Sequence, residues 1–444
     1  MNNYIVDAVQ AKKKDIESGN NVYDVGHVIS VQTYLLEVGG LKNVTFFERV
    51  YVQRANKGDI AEGYVDKINN DSVIVALTRK DEEVLVGDEV VATGKEFTMY
   101  FSPDSIGHVV DMFGKDLFSG ERFTKLKELP VESENTSIMD RGTVNRPFHT
   151  GIVGIDLMYP IGYGQRQLII GDKRTGKTQI ALDAIANQTS SKTFCIYAAI
   201  GTTKKEVKNI YAELSKRGAM RYTMIMAAFN DECPPVLRNT PYAALTVARQ
   251  IMLNKGDVLV VIDDLKRHAD VCREISLLSG KVPGRDAYPA DIFHAHASLL
   301  EQGCQHKDGG SITILPICET KSGDITDYIS TNIISITDGQ IVLSTKNFER
   351  GQKPAINYGL SVSRLGGAVQ SGVIKKASNV IRRELLSYLE TRDVYELTNE
   401  NEMSPELQNK MRRGRQIVEK LIQPKFSPKD ENEIVHSFAD LYKE

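Results

Sequence analysis

The rhythm of apolar and polar positions changes along the chain, and each change predicts a different kind of element. From Val25 to about Met99 apolar residues come in short runs broken by turn residues. These are Val28-Ile29-Ser30-Val31, then Tyr34-Leu35-Leu36-Glu37-Val38 before Gly39-Gly40, then Ser72-Val73-Ile74-Val75-Ala76-Leu77 after Asn69-Asn70-Asp71. Short strands rich in Val and Ile at this spacing predict a small β-barrel or sandwich. Residues 1–22 are polar, carry Lys12-Lys13-Lys14, and predict a short, partly helical arm. Between 100 and 150 the rhythm fades into the turn-rich Gly114-Lys115-Asp116-Leu117-Phe118-Ser119-Gly120 and the extended Arg146-Pro147-Phe148, which predict a linker. Beyond Thr150, apolar stretches at Leu168 to Ile170, Phe194 to Ala199, Tyr222 to Ala228, Val258 to Ile262 and Ile312 to Leu315 alternate with helix-length segments. Strands covered on both faces read this way, so a mostly parallel sheet is expected. From about Ile374 the spacing of Val380, Ile381, Leu385, Leu389 and then Ile417, Val418, Leu421 is helical over 374–398 and 405–422. The expected chain is multidomain α/β: arm 1–22, β-barrel 23–99, central α/β domain 100–372, short C-terminal helical domain 373–444.

Composition narrows the picture without redirecting it. At 444 residues the chain is too long for one ordinary core, and 41% hydrophobic with 25% charged residues is the balance of a soluble globular protein. A net charge of −3 provides no global basic field, which argues against nucleic acid as a partner. No apolar run approaches the roughly 18 residues of a membrane span. Together with the polar start Met1-Asn2-Asn3-Tyr4, this predicts a cytoplasmic location. Cys195, Cys233, Cys272, Cys304 and Cys318 are scattered without a C-x-x-C pair and read as reduced thiols. His294 and His296 fall on different sides of a helix and read as structural. The run Lys410-Met411-Arg412-Arg413-Gly414-Arg415 reads as a solvated helix face, with contact to an acidic partner as the sharper alternative.

One stretch carries chemistry. Gly171-Asp172-Lys173-Arg174-Thr175-Gly176-Lys177-Thr178 follows an apolar strand and opens a helix-like stretch, with the spacing G-x-x-x-x-G-K-T. Backbone N–H groups of such a loop turn toward phosphate oxygens, the lysine meets the β/γ charge, and the threonine hydroxyl reaches Mg²⁺. Val258 to Ile262 is a second apolar strand, ending in Asp263-Asp264. A carboxylate there completes a Mg²⁺ site with Thr178, so Asp263 is the expected partner.

Longer stretches resemble a known family. Gly162-Tyr163-Gly164-Gln165-Arg166-Gln167-Leu168-Ile169-Ile170, Pro283-Gly284-Arg285-Asp286-Ala287-Tyr288-Pro289, Glu319-Thr320 with Thr337-Asp338-Gly339-Gln340-Ile341, and Pro354 through Gly367 all look like the α subunit of F-type ATP synthases. The resemblance spans about residues 25 to 428 and is densest between 145 and 372. It implies a RecA-like P-loop domain holding ATP or ADP with Mg²⁺. It further implies an alternating α3β3 ring with catalytic β-type subunits around a γ-type shaft, at the cytoplasmic face of a membrane and linked to ion transport or motility machinery. By that resemblance Arg364, in Ser361-Val362-Ser363-Arg364, is an arginine finger for the neighbouring subunit, and Gln423 lies near the adenine.

Departures from the family pattern shape the functional expectation. Thr202 follows Gly201 where catalytic subunits carry a glutamate and usual α subunits a glutamine. A hydroxyl is no base near neutral pH, and such a base contributes about 10²- to 10⁴-fold. The chain's own site is therefore expected to be non-catalytic, with Glu206 four positions on as a poor substitute. Arg174 replaces a glutamine in the cradle, Ala297-Ser298 follow His296 in place of a serine and an arginine, Ser330 replaces a proline, and Pro424 follows Gln423. A helical domain ending at Glu444 and a short arm add to the expectation of a specialised F-type-like paralogue of the mycoplasma kind. A subunit of a standard proton-translocating synthase, a homohexameric Rho-like or secretion ATPase, and a nucleotide-free scaffold are the alternatives.

Overall fold

The computed structural model describes residues 24–54, 57–395 and 404–442. The arm expected over 1–22 lies outside the described residues, as do residues 396–398 of the expected helix.

The barrel forms from β1 (Val25–Gln32), β2 (Leu35–Gly39), β3 (Glu48–Arg54), β4 (Gly58–Ile68), β5 (Ser72–Lys80) and β6 (Glu89–Glu96), closed in the order β1-β2-β5-β4-β3-β6. Closure leaves no strand edge to aggregate. Half of these strands are not marked by long apolar runs: buried polar residues interrupt β3 and β4, and β6 buries only Val90, Val91 and Ala92. Arg49 Nε meets Glu62 Oε1 at 3.5 Å, and the Asp66 carboxylate is fully buried.

The central domain is a ten-stranded sheet. Its main path uses β7 (Val109–Val110), β8 (Leu168–Asp172), β9 (Phe194–Thr202), β10 (Thr223–Phe229), β11 (Asp257–Asp263), β12 (Ser311–Thr320), β13 (Gly339–Leu343) and β14 (Val362–Ser363). Their order is β14-β13-β8-β12-β11-β9-β10-β7, parallel throughout except that β14 runs against β13. All the expected strands are present. The segment expected as a linker does more than link, since β7 within it adds an edge to the sheet beside β10.

Helices cover both faces: α1 (Val153–Met158), α2 (Lys177–Ala186), α3 (Lys204–Lys216), α4 (Pro234–Leu253), α5 (Leu265–Leu278), α6 (Ile292–Leu300), α7 (Tyr328–Ile336) and α8 (Thr345–Glu349). Side chains alternate across a strand, so Val258, Val260 and Ile262 pack with α4, α5 and the barrel core. Leu259 and Val261 pack instead with α2, α3 and the C-terminal helices. The barrel is pinned to the domain through Asp66, whose carboxylate takes Arg238 of α4 and Lys281 beyond α5 at 2.9 Å each and Ser279 Oγ at 3.2 Å.

The C-terminal helices are α9 (Gly372–Tyr395), α10 (Pro405–Leu421), α11 (Glu431–Ser437) and α12 (Ala439–Tyr442). The basic run on α10 is only partly a solvated face. Met411 is buried, a Cβ on Gly414 would collide with the Tyr388 ring, and Arg413 reaches Glu384 at 3.1 Å. No helix among the described residues is long and apolar enough to cross a membrane.

Candidate functional site

The phosphate loop leaves the carboxyl end of β8, where ligands bind in sheets of this kind. Two left-handed residues shape it, Arg174 at φ +66° and Gly176 at φ +101°. Glycine adopts that region without strain, whereas Arg174 carries a cost on the order of 1 kcal/mol or more. Gly171 is needed for packing, since an added Cβ would lie 2.8 Å from the Leu343 carbonyl oxygen of β13. Lys177 opens α2 with its side chain buried, and its Nζ donates to the Asp172 carbonyl at 2.7 Å. Burial lowers the Lys177 pKa against the pull of Glu319, Asp264 and Asp263.

β12 and β11 bring carboxylates to the same end. Glu319 Oε2 lies 3.8 Å from Lys177 Nζ. Asp263 Oδ2 accepts from Thr178 Oγ1 at 3.1 Å and from the Tyr197 hydroxyl. Burial raises the Asp263 pKa in spite of those donors. Asp264 caps α5 by accepting from Arg267 N at 2.6 Å, and burial, reinforced by the adjacent Asp263, pushes it up to about 7. Together these groups border a cavity of about 840 Å³, large enough for a nucleotide's polar end and more.

Lys173, Arg174, Gly176, Lys177, Thr178 and Asp263, all expected site residues, line this cavity. Other members of the motif are turned elsewhere. The Asp172 carboxylate accepts from Thr320 Oγ1 at 2.6 Å, Gly323 N at 2.8 Å and Thr345 Oγ1 at 3.1 Å. Burial pushes its pKa up, but these bonds outweigh it and hold the group below the usual range. Thr175 is buried, its hydroxyl on the Asp172 carbonyl at 2.8 Å. Gln423 borders a separate cavity of about 260 Å³. Its amide donates to the Gly151 and Ser427 carbonyls at 2.7 and 2.6 Å and accepts from Val153 N at 2.9 Å.

The end of β9 closes the far side of the cavity. Thr202 lies there, and its Oγ1 is buried with no hydrogen-bond partner. Glu206 is committed to a capping box on α3, its Oε2 accepting from Thr203 N at 3.0 Å and Thr203 Oγ1 at 2.9 Å. Those two bonds lower its pKa.

Comparison with known proteins agrees with this geometry. Residues 151–363 match the model of the ATP synthase alpha/beta family, nucleotide-binding domain. The chain is 39% identical over 423 residues to the ATP synthase subunit alpha of Macrococcus caseolyticus, covering 95% of this chain and 83% of that one. It is 42% identical over 411 residues to the same subunit of Lactobacillus johnsonii, covering 92% and 80%, and 39% identical over 423 residues to that of Staphylococcus aureus. The chain belongs to the F-type ATP synthase subunit α family.

In this subunit α relative, Arg364 is separated from the phosphate loop. Leu343 of β13 pairs with Gly171 at the loop, whereas Gly339, at the other end of the same strand, pairs with Ser363. Four residues of strand put Arg364 about 13 Å away, at the opposite end of the sheet. It is exposed, and its Nη2 makes a 3.3 Å bond to the Ile334 carbonyl. Sequence reasoning missed Glu319, Lys266, Arg267 and Asp270 as cavity residues. The signal for Glu319 was available in the apolar strand Ile312 to Cys318 that ends in it. Lys266, Arg267 and Asp270 lie on α5 directly after the Asp263-Asp264 pair.

Proposed function

We propose that this subunit holds ATP or ADP with Mg²⁺ in its own cavity, hydrolyses it very slowly, and lends Arg364 to a catalytic β-type neighbour in an alternating ring around a γ-type shaft. The ring would sit at the cytoplasmic face of a membrane and serve ion transport or motility machinery. The observation that carries the first part is the state of the carboxylates around the cavity. Glu206 and Asp264 cap helices, Asp263 takes Thr178 and Tyr197, Glu319 faces Lys177, and Asp270 takes Tyr288 and Arg273. Each of these carboxylates already has a partner, and the residue at the place where the family resemblance puts a base is Thr202.

The residues suit a hard divalent cation, since Thr178 and Asp263 offer oxygen donors with Asp264 and Glu319 nearby. Mg²⁺ bound there neutralises phosphate charge. Lys177 and the loop amides hold the β- and γ-phosphates, and burial keeps water away from Lys177 so that its charge acts at full strength. Arg364 is always charged and faces outward, which suits a guanidinium that stabilises charge developing on another subunit's nucleotide.

The names of the relatives favour service in an ATP synthase, while Arg174, Thr202, Ala297 and Ser330 favour a specialised assembly. Native mass spectrometry of the purified complex separates these by the chains that accompany this one. Thr202 speaks against a homohexameric motor, and the intact Lys177, Thr178 and Asp263 speak against a scaffold without nucleotide. The direct test is calorimetric binding of MgATP to the isolated chain beside its ATPase rate. Micromolar-range binding with negligible turnover is expected, and turnover matching the assembled ring would overturn the reading.

A further inference from the structure

Residues 162–170, 337–341 and 354–367, stretches outside the phosphate loop, meet around Arg364. Both ends of Arg364 rest on the close of α7 and the turn into β13. Its backbone N donates to the Asp338 carbonyl at 2.8 Å, and its Nη2 donates to the Ile334 carbonyl at 3.3 Å. That segment is clamped by Arg166, just before β8, which gives the Asp338 carboxylate a fork: Nε donates to Oδ2 at 2.9 Å and Nη2 to Oδ1 at 2.6 Å. The backbone N of Arg166 adds a bond to Oδ2 at 3.0 Å, and its carbonyl accepts from Asp338 N at 2.8 Å. Gly303 makes room for the fork, since a Cβ there would stand 2.7 Å from Arg166 Cγ. On either side of Arg166, the buried Gln165 and Gln167 serve the strand that leads to Arg364. Gln165 Nε2 donates to Gln167 Oε1, and Gln167 Nε2 donates to the Val362 carbonyl, both at 3.0 Å. A Cβ on Gly339 would lie 2.5 Å from Gln167 Oε1, so glycine there lets the amide pass.

Resting on the proposed role of Arg364, we infer that Arg166 is a positioning residue for it, acting through Asp338. A bidentate guanidinium–carboxylate pair fixes distance and plane together, which a point charge on a flexible stem does not. Arg364 is long and exposed, so its aim is set by the segment it stands on. The pair ties that segment to the middle of the sheet, because the backbone of Arg166 bridges to Ile314 of β12 and Gln167 N donates to the Ile314 carbonyl at 2.9 Å. A group displaced by about 1 Å from a reacting centre loses about 10²-fold in rate. Arg166 touches no nucleotide under this inference, and its whole effect on the neighbour's chemistry passes through Arg364.

The experiment is steady-state ATPase of the ring assembled from this chain and its catalytic partner, comparing wild type, Arg166→Lys, Asp338→Asn, Arg364→Ala and the double variant Arg166→Lys/Arg364→Ala. Arg166→Lys keeps the charge and loses the fork. Asp338→Asn keeps the shape, and the carbonyl under Arg364, and loses the charge. Each should lower kcat by about 10- to 100-fold while KM for MgATP stays within about twofold. In the Arg364→Ala background, Arg166→Lys should change kcat by less than about twofold, because nothing is left to position. A kcat that falls by the same factor with and without Arg364 overturns the inference, since a purely structural pair slows both rings alike. Single variants that keep kcat within about twofold of wild type, beside a slow Arg364→Ala, also overturn it and leave the role of Arg364 intact. Arg364→Ala at the wild-type rate overturns that role itself. If Arg166→Lys does not assemble, Asp338→Asn, alone and combined with Arg364→Ala, carries the same test.

Discussion

The two ends of the central sheet are built on opposite principles. At the carboxyl end Thr178 is tied to Asp263 and Lys177 faces Glu319, and all four line one cavity. At the amino end Arg364 stands exposed directly after a short edge strand, its side chain making one long bond to a carbonyl. Under the proposed function, burial at the first end suits the groups to a ligand the chain itself holds. Exposure at the second leaves a permanent charge that the chain's own site cannot use. Under the proposed function, binding and assistance to catalysis fall in different places on the same subunit, and that contrast can be broken at either end.

The largest effect is expected at the exposed end. Arg364→Ala should lower ATPase of the assembled ring by about 10³-fold or more. The same change at an exposed position should move the stability of the isolated chain by only about 0.5 kcal/mol. Steady-state ATPase together with a thermal melt checks both, and an undiminished rate would remove the reason to treat the amino end as functional.

Next comes the joint that makes the two ends part of one body with the barrel. α5 starts at Asp264 by the cavity and leads to Ser279 and Lys281 on Asp66. Asp66→Ala would leave Arg238 and Lys281 facing an empty buried position, a loss of about 3–5 kcal/mol measurable by urea unfolding. Burial pushes the Asp66 pKa up, but Arg238 and Lys281 overcome it and hold it below the ordinary value. A depressed carboxylate contributes stability above its unfolded pKa, near 3.9, and that contribution disappears as pH falls through the lower folded value. Wild type should therefore lose stability below about pH 4 more steeply than Asp66→Ala, and equal acid profiles would exclude the joint as the cause.

A smaller effect is expected inside the cavity. Lys177→Met should weaken MgATP binding by about 10- to 150-fold, the worth of a charge-assisted bond. Because burial already opposes the Lys177 charge in the absence of ligand, the melting temperature without nucleotide should hold or rise. A fall in both would mean that Lys177 serves the fold before it serves the nucleotide.

What could be read in the sequence divides along the same line between local and distant. The phosphate loop and Asp263 were legible because each is a run of adjacent residues whose spacing sets its own geometry. The parallel strands were legible because burial on both faces leaves uninterrupted apolar runs. Membership of a motif, however, does not say where a side chain points. Asp172 lies inside the loop and turns outward to Thr320, Gly323 and Thr345, partners about 150 to 170 positions away that no local pattern announces. β3 and β4 hid behind Arg49, Glu62 and Asp66, charges tolerated in the core only because distant partners satisfy them. β7 and β14 have two residues each, too few to show a period.

The smallest expected effect sharpens where the site stops. Gln423 sits in the helical domain, and its amide is spent on Gly151, Val153 and Ser427, so it bridges that domain to the segment before α1. Both amide hydrogens and the carbonyl oxygen are already used, leaving little capacity for a purine edge. Gln423→Leu keeps the volume, removes these bonds, and strands a buried N–H and two carbonyls. The cost should be about 1–3 kcal/mol in chemical unfolding. If the bridge is its whole role, MgATP affinity at a temperature well below the melt should change by less than about twofold, because 0.4 kcal/mol or less reaches the cavity. A tenfold loss of affinity with unchanged stability would reverse the assignment. It would extend the site from the 840 Å³ cavity into the 260 Å³ one beside Asp183 and Phe426, making the helical domain part of the carboxyl-end machinery.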